Sequence, residues 1–213
     1  MKDWDQLADR LYAAVVADAC DRVGLREQCL ASGIAPHSGT GTLIGRARTA
    51  TVVAVHSIPD DPYAGEIAFC DALQPGEVAV LGVRADAAVW GELFSAAAKA
   101  RGARGMVTDG VVRDVRRIGP LGFAVHAAGT HPADALGRVA LGRRGEPTVC
   151  GGTRVETGDL VVADADGVVV VPAAKADQVL EIALQKVSTE NQALAHLRGG
   201  GYLGEVWQRF QVL

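Results

Sequence analysis

Aromatic side chains make up only 5% of this 213-residue chain. Ala, Val, Leu and Gly must do most of the packing, and a platform of stacked rings for single-stranded nucleic acid is missing. Positive charge is scarce too: 21 Lys and Arg stand against 25 Asp and Glu, a net charge of −4. No broad cationic field exists to attract a phosphate backbone or an anionic membrane, which argues against nucleic-acid and membrane partners. There is no CxxC pair. Cys20, Cys29, Cys70 and Cys150 lie far apart, with no secretory leader read ahead of them. That pattern suggests neither a disulfide framework nor a zinc site, and it predicts reduced thiols and a cytoplasmic location. Long apolar runs are absent as well. The stretch Ile118 to Ala133 is uncharged but holds two prolines and two histidines, short of the roughly 20 apolar residues that span a bilayer.

What is present is 49% hydrophobic residues with 22% charged, enough for a large core and incompatible with a disordered or fibrous chain. The length fits one α/β domain over residues 1–213, with helices at about 4–24 and a helical segment at about 173–213. Leu7, Leu11, Ala14 and Val15 recur at helical spacing, and Gly24 is a stop signal. Gly33 to Gly45 reads as a loop, and the β-branched Thr49 to His56 as the first strand. A short helix near Ala64 to Leu73, a strand Glu77 to Val83, a helix Val89 to Arg101 and a strand Gly105 to Thr108 follow. Further strands are expected at Phe123 to Ala127, Arg138 to Leu141, Thr148 to Cys150, Leu160 to Ala163 and Val168 to Val171, the last two joined by a turn at Asp166-Gly167. Val179, Ile182, Ala183, Val187 and Leu194 mark a long helix that Gly199 to Gly201 ends, and a short segment from Tyr202 to Phe210 carries Trp207.

Most motif classes fail on inspection. The Gly-rich loop 38–45 lacks the dinucleotide fingerprint and the P-loop lysine, so no organic cofactor is expected. No GxSxG elbow accompanies the five serines. The four lysines, Lys2, Lys99, Lys175 and Lys186, occupy a terminus or polar helix faces, without the desolvation an imine-forming amine needs. His37, His56, His126, His131 and His196 include no HxxxH pair. His126 and His131 flank a Gly-containing loop, where a hydrogen-bonded loop role is favoured over substrate contact. A metal, if held, is oxygen-ligated, which points to Mg²⁺ or Mn²⁺.

The informative segment runs from Trp90-Gly91-Glu92-Leu93 to Arg113-Asp114. Trp90, Leu93, Phe94, Ala97 and Ala98 form an apolar stripe that leaves Glu92 aside, in the first helical turn. Arg113-Asp114 follows the strand Gly105 to Thr108, and loops beyond strand carboxyl ends are where α/β sheets bind ligands. A carboxylate holding a divalent ion beside a guanidinium that grips a carboxylate or a nascent enolate suits small 2-oxo acids. Taken as structure alone, Glu92 favours the helix dipole and Arg113-Asp114 is a solvated pair.

An acidic residue, twenty intervening positions and Arg-Asp, here Glu92, Leu93 to Val112, Arg113 and Asp114, resemble the RraA-like family, in particular its 4-hydroxy-4-methyl-2-oxoglutarate aldolase branch. VADACDRVG (Val16 to Gly24) and GDLVVADADGVVVVP (Gly158 to Pro172) extend the resemblance over most of the chain. It implies a swivelling β/β/α domain assembled as a homotrimer or homohexamer, with sites between subunits. By the same resemblance Asp114 binds the metal directly, Glu92 and Glu190 act through water, Arg113 holds the substrate and its enolate, and the Gly91 to Leu93 backbone binds the anionic substrate. The implied reaction is metal-dependent cleavage of a 4-hydroxy-2-oxo acid to pyruvate, or decarboxylation of oxaloacetate. The alternatives are a non-catalytic regulator that binds a ribonuclease and a lyase for another pathway intermediate. Glu92 replaces the family's usual Asp, and the loop Ala127 to Pro132 departs from the aldolase pattern.

Overall fold

The computed structural model describes residues 2–85 and 87–212. Its centre is a curled sheet in the order β1-β5-β4-β3-β2-β9-β10, with β6 also on β2. The strands are β1 (Ala35–Ser38), β2 (Leu43–Ala54), β3 (Glu77–Arg84), β4 (Gly105–Val112), β5 (Ala124–Thr130), β6 (Val139–Arg144), β9 (Leu160–Asp164) and β10 (Gly167–Val171). A small hairpin of β7 (Thr148–Cys150) and β8 (Thr153–Val155) lies apart. Strands β2, β3, β4 and β5 run parallel, joined by α3 (Ala64–Asp71), α4 (Glu92–Ala100) and α5 (Val115–Ile118). The remaining neighbours, β1, β6, β9 and β10, are antiparallel. Strand β2 curls the sheet because it changes partner along its length, pairing β9 through Leu43–Arg46 and β6 through Ala50–Ala54.

The near-continuous apolar strands follow from burial on both faces. In β9 and β10, Leu160, Val162, Val169 and Val171 meet α2 (Ala13–Arg22) and α6 (Ala176–Arg198). The alternate residues Val161, Ala163, Val168 and Val170 pack with Cys150 and Val155 of the hairpin. In the parallel half, Ala79, Leu81, Met106, Val125 and Ala127 pack with residues of α3 and α4. The period of two along each strand thus sorts one chain into a helix-covered face and a β-covered face.

Several boundaries differ from the sequence expectation. The helices expected at about 4–24 are α1 (Trp4–Ala8) and α2, but the break between them shifts the phase so that Ala13 rather than Ala14 is buried. The loop 33–45 contains β1 and the start of β2; only its tip, with Gly39 and Gly41 at positive φ, is a turn. The hairpin register pairs Asp164 with Gly167, which places the turn at Ala165-Asp166, one residue earlier than Asp166-Gly167. Strand β4 runs through Asp109-Gly110 to Val112 rather than ending at Thr108. Asp109 replaces lost sheet bonds itself, accepting from the Val83 N–H at 2.8 Å and the Gly151 N–H at 2.9 Å. At the C-terminus, α7 (Leu203–Phe210) packs Val206 and Phe210 against Ala193 and Leu197. All four cysteines are free thiols.

Candidate functional site

The segments that follow the four parallel strands meet at their carboxyl ends, where open α/β sheets bind ligands. Tyr63 follows β2, Trp90-Gly91-Glu92 follow β3, Arg113-Asp114 follow β4 and Asp134 follows β5. They line one cavity of about 630 Å³. Its frame is main chain: the Val89 N–H donates to Val111 O at 3.0 Å, and the Arg113 N–H to Trp90 O at 3.0 Å. These bonds extend β4 past Thr108 and lock Arg113 against the start of α4. The loop after β5 is tied in the same way, by the His131 N–H to Val112 O at 2.9 Å and the Ala88 N–H to Ala133 O at 3.2 Å.

Asp114 sits in the left-handed region, with φ +60° and ψ +24°. This conformation is uncommon outside glycine but more accessible to Asp than to most residues, and it is the kind of local strain that gathers at functional sites. It turns the carboxylate back to α4, where Oδ2 accepts from the Glu92 N–H at 3.3 Å. Gly91 makes this approach possible: a Cβ there would lie 2.6 Å from Asp114 Oδ2 and 3.3 Å from Arg113 Cγ. Within α4 the ladder begins with the Ser95 N–H to Gly91 O, so the N–H groups of Leu93 and Phe94 have no partner inside the helix. Together with the dipole they favour negative charge at this end.

Arg113 is held between two carboxylates. Nε lies 3.5 Å from Asp114 Oδ2, and Nη1 lies 3.3 Å from Asp134 Oδ1. Asp134 is fixed in turn by the Tyr63 hydroxyl, which donates to Oδ2 at 2.6 Å, and by the Ala135 N–H at 2.7 Å. The Tyr63 bond, with help from Arg113, holds the Asp134 carboxyl below the usual range, and the same bond pushes the Tyr63 phenol up. Glu92 stands beside this corner with Oε1 accepting from Arg117 Nε and Nη2, both at 3.2 Å.

Glu92, Arg113 and Asp114 are therefore brought together, with Gly91 and Leu93 on the same wall. Leu93, placed in the apolar stripe of α4 from its spacing, is instead 82% exposed, while Ser95 and Ala98 are buried. Glu190 does not line the cavity of its own chain; it accepts from the Tyr12 hydroxyl and from Lys186 Nζ at 3.1 Å. His131 is a loop histidine whose Nδ1 accepts from the Ala133 N–H at 3.1 Å. His126 does not flank a loop: it lies within β5 at 2% exposure, and burial keeps its pKa below the ordinary histidine value. Lys186 is not on a polar face but buried at 7%, with Asp18 Oδ2 at 2.8 Å. Burial alone would lower its pKa, but the bonds to Asp18 and Glu190 outweigh it and keep the ammonium above its usual value, unsuited to imine chemistry.

Tyr63 and Asp134 were not found from sequence. Extending β5 to its true end at Thr130 and applying the strand-end rule again would have pointed to Asp134; Tyr63 carries no local signal. No group of three ligating side chains that could cage a metal occurs among the described residues. The donor set is one partly exposed carboxylate, Asp114, with Glu92 next to it, which fits a hard cation that keeps most of its waters.

The RraA-like family model, described as Aldolase/RraA, matches residues 13–170. A protein of Halalkalibacterium halodurans named "Putative 4-hydroxy-4-methyl-2-oxoglutarate aldolase" is 35% identical over 173 residues, covering 80% of this chain and 77% of that one. A protein of the same name from Laribacter hongkongensis is 30% identical over 162 residues, 74% of this chain and 96% of its own. Among solved structures, RraAS2 of Streptomyces coelicolor, described as an unusual member of the RNase ES inhibitor RraA protein family, superposes with a TM-score of 0.79 at 27% identity. It covers 93% of this chain and 98% of that one.

Proposed function

The chain belongs to the RraA-like family, and from that premise we propose that it is a lyase cleaving a carbon–carbon bond of a 2-oxo acid. The substrate is a 4-hydroxy-2-oxo acid split to pyruvate and a carbonyl compound, or an oxaloacetate-like acid that loses CO₂. The observation that carries this reading is the guanidinium of Arg113, held between Asp114 and Asp134 at the strand ends, with α4 opening on the same cavity.

Cleavage of the C3–C4 bond leaves an electron pair delocalised from C3 onto the C2 oxygen, and that oxygen needs a positive partner. Arg113 Nη2, which takes part in neither of the two ion contacts, pairs with the C1 carboxylate and the C2 oxygen. Asp134 and Tyr63 hold the guanidinium in place, so its orientation is set before the substrate arrives. Glu92 has Oε1 engaged by Arg117, so Oε2 receives the 4-hydroxyl proton through a water. The same proton, returned from Glu92 through the water to C3, completes pyruvate and restores the Glu92 carboxylate. Asp114, with Glu92 through water, would hold Mg²⁺ or Mn²⁺, which when bound supplies Lewis-acid polarisation of the 2-oxo group. The test is release of pyruvate from a panel of 4-hydroxy-2-oxo acids and oxaloacetate with either cation; no release from any of them refutes the reading.

We further propose, from the family resemblance, that the working form is a homotrimer or homohexamer in which the partner subunit's Glu190 completes the site; that Glu190 is not among the residues lining the cavity of its own chain is compatible with this. Mixed oligomers of Asp114→Ala and Glu190→Ala chains should then recover activity that neither parent has, and a mixture as inactive as the parents contradicts a shared site. The second reading, a regulator docking on a ribonuclease, is supported by the likeness to the Streptomyces protein. It predicts stable binding to a ribonuclease without any metal-dependent turnover.

A further inference from the structure

The polar corner occupies only part of the cavity. Beyond Arg113 and Asp114 the wall is built from Val52, Ile67, Cys70, Phe94, Ala97 and Leu141, contributed by β2, α3, α4 and β6. Even at roughly 30 Å³ for each non-hydrogen atom, the share of a liquid water, a pyruvyl unit of about six such atoms takes roughly 180 Å³. Most of the 630 Å³ is left for whatever the substrate carries beyond C3.

Charge indicates what that group is. Among the described residues lining the cavity, Arg113 is the one cation, and it is committed to the corner. The charged groups along the apolar wall are Glu66 and Asp71, both acidic. Glu66 Oε1 accepts from the Leu141 N–H at 3.0 Å, and Asp71 is met by Arg101 at 3.5 Å. A second carboxylate reaching this wall would lose water and face Glu66, with Arg101 already taken by Asp71 and no cation of this chain but Arg113 among the described lining residues, an arrangement that disfavours it. A neutral hydrocarbon group would instead cover apolar surface.

We infer that the site takes 2-oxo acids with a single carboxylate and a neutral apolar tail of several carbons, which selects the 4-hydroxy-2-oxo acids over the oxaloacetate-like acids. This contrasts with the dicarboxylic acid in the relatives' names, and it rests on the reading of the Arg113 corner as the subsite for the carboxylate and 2-oxo group. Retro-aldol substrates of this class are 4-hydroxy-2-oxo acids with an alkyl or aryl substituent at C4.

The test is isothermal titration of the full chain, with Mg²⁺ present, against 2-oxobutanoate, 2-oxopentanoate, 2-oxohexanoate and 2-oxoglutarate. The expected result is affinity rising about fourfold per methylene, as burial of apolar surface dictates. 2-Oxohexanoate should bind at least about tenfold tighter than 2-oxoglutarate, and Leu141→Lys, which brings a cation to the tail, should reverse that order. Ala97→Trp, which fills the wall from α4, should flatten the methylene series. Equal affinities in the native chain, or tighter 2-oxoglutarate, overturn the inference. So does an Ala97→Trp chain with altered sedimentation mass and an intact series, since that assigns the wall to a second copy of the chain. A chain that binds the series as expected but releases no pyruvate refutes the lyase reading and leaves the ligand class standing. Turnover with a flat series refutes the ligand class alone.

Discussion

Gly91→Ala perturbs the site through a single methyl group. The backbone at Gly91 is extended, with φ −157°, a conformation alanine adopts without strain, so the fold should accept the change. The cost at this helix N-cap is a fraction of a kcal/mol to about 1 kcal/mol. For a domain of this size that lowers the melting temperature by roughly 2–4 °C. The site should not accept it. The new Cβ would stand 2.6 Å from Asp114 Oδ2, where ordinary contact begins at 3.4 Å, so the oxygen must retreat by the difference, about 0.8 Å. That movement breaks its 3.3 Å bond from the Glu92 N–H and shifts the partner of Arg113 Nε. A displacement approaching 1 Å in a positioned group costs about 100-fold in rate. The assay is pyruvate release followed through lactate dehydrogenase and NADH, with a melting curve on the same sample. A Gly91→Ala chain with native kcat/KM would refute the reasoning, because Asp114 would then not need its place against α4.

Two other perturbations separate chemistry from packing. Asp134 has its carboxyl lowered chiefly by the Tyr63 hydroxyl, so its ionised form stabilises the fold above the ordinary carboxylate pKa, and that contribution fades as pH falls through the lowered value. Tyr63→Phe should therefore move both the acidic limb of kcat/KM and the onset of acid unfolding to higher pH, and an unmoved acidic limb contradicts the role given to Asp134. Phe123, 1% exposed and stacked on Trp90 with centroids 6.4 Å apart, supports the segment that holds Arg113. Phe123→Ala should cost about 3–5 kcal/mol in urea unfolding, and a loss under 1 kcal/mol would show that the layer behind the site collapses to fill the gap.

The sequence made the α/β layout legible wherever a local pattern carried it. The long helix α6 and the pair β9 and β10 repeat apolar residues at the periods of their elements, and their turn and stop residues are local. That a strand leads toward Arg113-Asp114 was legible for the same reason; its true end at Val112 was not. Long-range partners were not. Strand β4 continues through Asp109-Gly110 because the main chain at 88–90 pairs with it and because Val83 and Gly151 donate to Asp109, none of which is nearby in sequence. His126 sits inside because both faces of its strand are covered, so alternation gives no exposed side to place it on. Lys186 is buried because Asp18 from another helix and Glu190 from the next turn meet its charge. Tyr63 and Asp134 join the site only when loops after two different strands converge.

The central claim is that Arg113 and Asp114 form the corner of a metal-assisted 2-oxo acid lyase. Its most direct test is pyruvate release by the native chain and by Asp114→Ala, each stripped with a chelator and titrated with Mg²⁺ or Mn²⁺. The account predicts release that depends on the cation in the native chain and falls at least about 100-fold in Asp114→Ala, with its melting curve retained. Full activity in Asp114→Ala, or none in the native chain on any 4-hydroxy-2-oxo acid or oxaloacetate, would contradict it.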